Sequence, residues 1–428
     1  MGLQGNQTKE WFERASAALV NGVSSQFRYW GDDDTIVIDR GEAGHLIDMD
    51  GKRYVDWQLG FGPIILGHGD EAVCDAVAEA ARSGTSFAMT QRREVEAAEK
   101  VLSALSWPER IRFTNTGTEA TMHAIRLARG VTGRDLIVKF EGQYHGVHDY
   151  VMYSTASAAY GALGSRMRPI PVQSSSGIPD EIRTFIRTLP YNDLDLVESV
   201  FASEGHRIAA VIVEPMLGNT FGLMPADGFL EGLRSLTSDH GSALIFDEVK
   251  TGFRVAVGGA VEHFGVTPDI GTYAKAMGNG FPVAAIATSG PFVEGWKQGG
   301  IAQAGTYSGN AIAAAAAGAT VDRLSTGEPL RQVEKVGRDL MDGLEKILAD
   351  RGVQGRIVGH PSMFSIYLGE GEPTDFRTTA GHDEDLYETI IMNMIVKGVM
   401  PCPDAKEPWF VCAAHTDEDV ARSLQVFE

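Results

Sequence analysis

The 428-residue chain is poor in cysteine, in positive charge and in long apolar runs. Its three cysteines, Cys74, Cys402 and Cys412, form an odd, scattered set. That excludes a disulfide framework and a cysteine-based metal site, and it makes a reducing cytoplasm the expected compartment. Lys and Arg number 37 against 57 Asp and Glu, for a net charge of −20. A sequence-independent nucleic-acid binder needs a basic face, so nucleic acid is not an expected partner. The same balance argues against an anionic membrane surface. No apolar run approaches the length of a bilayer span. The N-terminal stretch MGLQGNQTKEWFE lacks the apolar core of a signal peptide, and Asn6 breaks the myristoylation pattern. There is no fixed-period repeat, which sets aside solenoids and propellers.

What remains is an ordinary globular composition, 43% apolar and 22% charged, with glycine abundant at 50 residues. The length predicts more than one domain and a large core. HLIDMDGKRYVDW (45–57) predicts two short strands joined at Asp50-Gly51. A helix follows, with Val73, Val77 and Ala80 on one face and Gly84 as its stop. Short apolar runs then alternate with helical patterns: IRFT, DLIVKF, IAAVIVEP and ALIFDEV. Their hydrophobicity is continuous, which suits strands buried on both faces, so the expected class is doubly wound α/β with a parallel sheet. AIAAAAAGA (311–319) predicts a close-packed helix, and Leu330, Val333, Val336, Leu340, Leu344 and Ile347 mark an amphipathic one. FSIYL and WFVCAA predict strands of a smaller unit shared by both chain ends. Residues 153–179, rich in Ser, Ala, Gly and Pro, are long for a structureless connection and are expected to form a lid.

Five segments could carry chemistry. In FTNTGTEA a strand leads through Thr116, Gly117 and Thr118 into a helix start, whose free N–H groups suit a phosphate. Taken alone, it also describes a threonine cap with no ligand. In ALIFDEV, Asp247 ends a buried strand and needs a cation or several donors, which a structural ion pair would equally supply. In IGTYAKAMGNG, Lys275 sits between small apolar residues that could depress its pKa and free a nucleophilic amine. A surface lysine is the plainer reading of that segment alone. In KFEGQYHG, Tyr144 could stack on a planar ring with His145 beside it, and no metal-ligand spacing accompanies them. AGTYSGN (304–310) is a second hydroxyl-rich turn. A phosphate cradle, a stacking aromatic, a buried carboxylate and an activated lysine are together what pyridoxal 5′-phosphate requires.

DMDGKRYVDW, GPIILGHG, FTNTGTEA, FEGQYHG, EPMLGN, FDEVKTGFR, FGVTPD, AGTYSGN and FVCAAHTDED run nearly the whole chain. With them the sequence resembles the class III pyridoxal-phosphate aminotransferases of fold type I, and most of all their glutamate-1-semialdehyde 2,1-aminomutase branch. The resemblance implies a large domain over 67–320, with a mostly parallel sheet flanked by helices. It implies a smaller α+β domain made from 1–66 and 321–428. Lys275 would be the Schiff-base lysine and proton shuttle, Asp247 would pair with the ring nitrogen, and Val249 and Tyr144 would pack on the ring beside His145. Thr116, Gly117 and Thr118 would hold the phosphate, and Thr306 would reach the phosphate of a second subunit in a homodimer. Glu214 and Asn219 would lie on the ring's hydroxyl side. Ser25 and Arg28, in SSQFR, would face a small amino or oxo acid, with Arg28 gripping its carboxylate. Phe61 and Glu407 would complete the substrate site, Glu407 near Arg28. Phe61 and Ala302 stand where the branch has Trp and Tyr, and residues 153–179 exceed its usual length. An aminomutase, and an intermolecular aminotransferase acting on a β- or ω-amino acid, therefore both stay open. A non-catalytic pyridoxal-phosphate binder should have lost Lys275 or Asp247, and both are present.

Overall fold

The computed structural model describes residues 3–297 and 300–428. Its centre is a seven-stranded sheet of β1 (Arg110–Thr114), β2 (Leu136–Phe140), β3 (Ile186–Leu189), β4 (Ile208–Val213), β5 (Ala243–Asp247), β6 (Ile270–Tyr273) and β7 (Ala284–Thr288). The strands lie in the order β1-β7-β6-β5-β4-β2-β3. All run one way except β7, which is antiparallel to both neighbours. Every residue of β2, β4, β5, β6 and β7 is buried, which is why their sequences carry no polar alternation. The four apolar runs become β1, β2, β4 and β5. β6 and β7 were not legible as strands. IGTY contains glycine and AAIAT is mostly alanine, so their local strand preference is weak. Burial between β5 and β1 decides them.

The helix Gly117–Thr132 crosses this sheet, packing on β6 and β7. The alanine-rich helix Ala311–Ser325 packs on Glu71–Arg82 and Arg92–Leu105, where its small side chains allow close approach. The helix Glu328–Asp350 buries Val333, Val336, Leu340, Leu344 and Leu348, as its periodicity requires.

The chain ends meet in a sheet of their own. His45–Asp48 and Arg53–Asp56 form the hairpin around Gly51, and Val399–Met400 pairs in parallel with the second strand. Met363–Tyr367 pairs with Arg356–His360 and with Trp409–Phe410. The run WFVCAA keeps strand pairing for only two residues. Beyond them Val411 N–H turns to the Ser362 carbonyl and Ala413 N–H to that of Ile65, 3.1 and 2.8 Å away. Buried Arg254 donates to the carbonyls of Gly62, Ser362 and Val411, tying both ends to the turn after β5. Among the described residues, no helix is long and apolar enough to cross a membrane.

The loop after β2 is held from beneath. Lys139, fully buried, donates to the carbonyls of Phe140, Gln143 and Tyr153 at 3.3, 3.2 and 2.6 Å. Burial pulls its ammonium down to about 7, against the pull of Glu214 and Glu141. Lys139→Met leaves these carbonyls without that donor and is expected to cost about 2–4 kcal/mol. The unfolded chain holds the lysine's proton up to its ordinary 10.5, so the wild type gains stability as pH rises from about 7 toward that value. Thermal unfolding should show a lower midpoint in the variant and the loss of this gain.

Candidate active site

Five strands deliver their carboxyl ends to one cavity, where ligand crevices of open α/β sheets lie. β1 leads to Thr116 and the helix start, β2 to Tyr144 and His145, β4 to Glu214, β5 to Asp247, and β6 to Lys275. Gly117, Thr118, Tyr144, His145, Glu214, Asn219, Asp247, Val249 and Lys275 all line that cavity.

Lys275 follows β6 with φ at 47°, in the left-handed region that non-glycine residues seldom adopt. The turn is pinned by buried Asn279, whose side chain accepts from Leu66 N–H at 3.0 Å and donates to the Gly67 carbonyl at 3.1 Å. Such strain marks a position held by its surroundings. Burial, then the neighbouring Lys250 charge, lowers the Lys275 amine to about 7, while Glu407, Glu214 and Asp247 pull the other way. The amine is therefore substantially neutral at neutral pH, as a nucleophile must be.

Asp247 is buried with both oxygens engaged. Oδ2 meets His145 Nδ1 at 2.6 Å, and Oδ1 accepts from Thr272 Oγ1 at 3.1 Å and Val249 N–H at 3.2 Å. Glu214 accepts from Tyr144 N–H at 2.7 Å, Gly218 N–H at 2.8 Å and the Asn219 amide at 3.0 Å. Burial raises its pKa. Burial also raises that of the Tyr144 phenol, helped by the Asp247 and Glu407 charges.

At the start of the helix Gly117–Thr132, a methyl on Gly117 would sit 3.0 Å from Val249, and one on Gly146 would collide with Thr118. Only glycine lets these three segments close together. Thr116 is the helix cap: its hydroxyl accepts from Glu119 N–H at 3.1 Å, and Glu119 reaches back to Asn115 N–H at 2.8 Å. Thr116 is not on the cavity wall, so the first-turn N–H groups of Gly117 and Thr118 are the free donors there.

The substrate candidates lie further out. Ser25 stands at the start of the short turn Gln26–Arg28 without a side-chain capping bond, and Arg28 is exposed with no carboxylate within 4 Å among the described residues. Phe27 carries this turn to the cavity, its ring edge-on to Tyr144 at 6.3 Å and to Phe61 at 6.2 Å. Thr306 is exposed on a turn whose Gly305 lies close to Asn115. Glu407 pairs with Lys250 at 2.5 Å, not with Arg28. Residues 153–179 dock onto the C-terminal part. Tyr160 stacks on Phe376 at 4.7 Å and Arg166 binds Asp193 and Asp375. None of them lines the cavity of this chain.

Two cavity residues escaped the sequence reading, Lys250 and Thr121, while Gly146 was read as part of the KFEGQYHG turn. Thr121 was within reach, since it lies three residues after Thr118 and so on the same helix face. Lys250 gave no local signal beyond its closeness to Asp247.

These residues fit pyridoxal 5′-phosphate. The donor set offers a helix start for a phosphate, a buried carboxylate for a ring nitrogen and a neutral amine for an aldehyde. His145 Nε2 is buried and has no hydrogen-bond partner among the described residues, as expected of a wall that faces a polar ligand.

The comparisons agree. The Aminotransferase class-III family matches residues 29–421. The glutamate-1-semialdehyde 2,1-aminomutase of Methanocaldococcus jannaschii is 38% identical over 100% of this chain and 98% of its own. That of Aquifex aeolicus is 37% identical over 98% of each. Among solved structures, an omega-transaminase from Sphaerobacter thermophilus superposes with a TM-score of 0.93, at 29% identity over 99% of this chain and 96% of its own. A glutamate-1-semialdehyde aminomutase from Pseudomonas aeruginosa PAO1, at 24% identity over 98% and 93%, shares the fold with a TM-score of 0.89. With a family match across nearly its whole length and full-length relatives at this identity, the chain belongs to the class-III aminotransferases, enzymes that work with pyridoxal 5′-phosphate.

Proposed function

We propose that the protein moves an amino group on a small carboxylate-bearing amino or oxo acid, as a glutamate-1-semialdehyde 2,1-aminomutase that forms 5-aminolevulinate. Full-length identity of 36–39% to enzymes of that name carries the substrate assignment. The near-neutral amine of Lys275 facing the buried Asp247 carries the chemistry.

When bound, pyridoxal 5′-phosphate supplies an aldehyde that takes up amines and a ring that draws electrons from the substrate carbon. The protein supplies the rest. Gly117 and Thr118 N–H groups, at the positive end of their helix, hold the phosphate, with Thr116 fixing that turn. Tyr144 and Val249 hold the ring between them. Asp247, oriented by His145 and Thr272, keeps the ring nitrogen protonated by its charge. Glu214 and Asn219 serve the ring's hydroxyl side. Lys275 would hold the cofactor and move protons on the substrate. Arg28 takes the substrate carboxylate with Ser25 beside it, and Phe61 and Glu407 complete the substrate site.

The assembly we propose is a homodimer in which Thr306 completes the partner's phosphate site. Its support is the exposure of Thr306 together with Met89 and Tyr307, which are 80% and 63% exposed. The three segments 1–66, 67–320 and 321–428 are our division into small and large domains. The cytoplasm is our assignment of compartment, supported by the three unpaired thiols.

A second reading has its own observation. The transaminase superposition at TM-score 0.93, with Phe61 and Ala302 in place of larger aromatics, favours a conventional exchange on a β- or ω-amino acid. Protein in the pyridoxamine form, given glutamate 1-semialdehyde and no other oxo acid, separates the two. Many turnovers of 5-aminolevulinate are expected of the mutase, and arrest after one equivalent would transfer the assignment to the transaminase. Borohydride reduction of the loaded protein should leave the cofactor covalently on Lys275, as peptide mapping will read.

A further inference from the structure

Lys250 stands on the same cavity wall as Lys275, and no role above accounts for it. It follows Asp247 by three residues, on the turn leaving β5. Its buried ammonium donates to Glu407 Oε1 at 2.5 Å and to the Gly218 carbonyl at 2.6 Å, and lies 5.5 Å from the centre of the Phe410 ring. The approach is built in, because a methyl on Gly218 would come within 2.5 Å of Lys250 Cδ. A buried ammonium is costly unless paired, so this geometry needs its carboxylate.

The four charged groups facing Lys275 come from three segments: Glu214 after β4, Asp247 and Lys250 around the end of β5, and Glu407 near the C-terminus. Tyr144 and His145, after β2, are the other titratable groups on the wall. Two of the three carboxylates are fixed by several donors. Asp247 is held by Thr272, Val249 and His145, and Glu214 by Tyr144, Gly218 and Asn219. The Glu407 carboxylate is held by Lys250 alone among the described residues. It is the one acid of the set free to change partners.

We propose that Lys250 is a positioning residue: it captures Glu407 and so keeps that carboxylate from pairing with the amine of Lys275. Without Lys250, Glu407 turns to the remaining cation of the cavity and holds it charged. The depressed basicity of Lys275 agrees in sign, since Lys250 lowers it and Glu407 raises it. The proposal rests on Lys275 being the reactive amine, and its test reads ionisation rather than turnover. A Lys275 that never carries cofactor is exposed separately by the borohydride mapping.

The full chain loaded with pyridoxamine 5′-phosphate, which leaves Lys275 a free amine, is trace-labelled with acetic anhydride from about pH 5 to 10. Acetylation of Lys275 is followed by peptide mass spectrometry. Lys250→Met should raise the labelling midpoint by about one pH unit, which is about tenfold less labelling at neutral pH. Lys250→Arg should leave it in place. Lys250→Met combined with Glu407→Gln should return it to the wild-type value, a rescue that a merely structural lysine would not give. An unchanged midpoint in Lys250→Met overturns the proposal, and so does a raised midpoint that persists in the double variant. Should Lys250→Met not fold, Lys250→Gln, which keeps a donor for the Gly218 carbonyl, decides by the same shift.

Discussion

Replacing Lys275 with alanine lowers kcat by on the order of 10⁴-fold or more while the protein stays folded and still takes up its cofactor. Neither part of that outcome is automatic. Most buried lysines cannot be truncated cheaply, because their partners are left unpaired. Lys139 is such a case, with three carbonyls depending on it. Lys275 differs, since its amine has no hydrogen-bond partner and no ion pair among the described residues. Alanine also accepts the same φ of 47° at the same backbone cost, and Asn279 still pins the turn. The proposed phosphate donors at Gly117 and Thr118 and the proposed carboxylate partner Asp247 are left in place. What disappears is the one near-neutral amine on the wall. Lys250 cannot replace it, being engaged by Glu407 and Gly218. The check is turnover beside cofactor content and thermal midpoint, with a small amine added to the assay. Partial rescue by that amine marks Lys275 as a proton carrier, and activity within tenfold of wild type removes it from the mechanism.

Asp247→Asn is expected to slow the reaction by about 10²–10³-fold, the scale of losing one preorganised electrostatic contact. The substitution keeps size and shape, so Thr272 and the Val249 N–H retain an acceptor. The negative charge is lost, and with it the ability to hold a ring nitrogen protonated. His145 is affected too, because its Nδ1 now meets an amide where a carboxylate stood 2.6 Å away. Single-turnover rates with saturating amino donor isolate this step from binding. A rate near that of wild type would show that the Asp247–His145 pair is structural, the reading its buried position permits on its own.

Local sequence carried the parts of this site that need only local physics. Continuous apolar runs told of strands covered on both faces, and β1, β2, β4 and β5 form where those runs lie. Glycine and threonine before a helical pattern told of a helix start at Gly117 capped by Thr116. An aspartate closing an apolar run told of a carboxylate with an unusual environment. The resemblance to class III aminotransferases, resting on motifs spread from residue 48 to residue 419, then fixed the cofactor and the sheet. β6 and β7 were harder, because glycine and alanine express no strand preference until neighbouring strands bury them.

Composition, the order of elements and the positions of Lys275, Asp247 and the Gly117–Thr118 helix start were thus determined by the chain itself. The tertiary structure decided which groups meet. It brought five strand ends to one cavity. It placed Glu407 on Lys250, 157 residues away in sequence, and left Arg28 without a carboxylate among the described residues. It also turned 153–179 onto Phe376 and Asp375, where a lid over the cavity was expected. The physical reason is range. Propensity, capping and burial pattern act over a few residues and are written in them, whereas pairing between buried charges depends on how distant segments return to the same place. Of two lysines on one wall, the fold alone makes one a free amine and the other a partner for an acid.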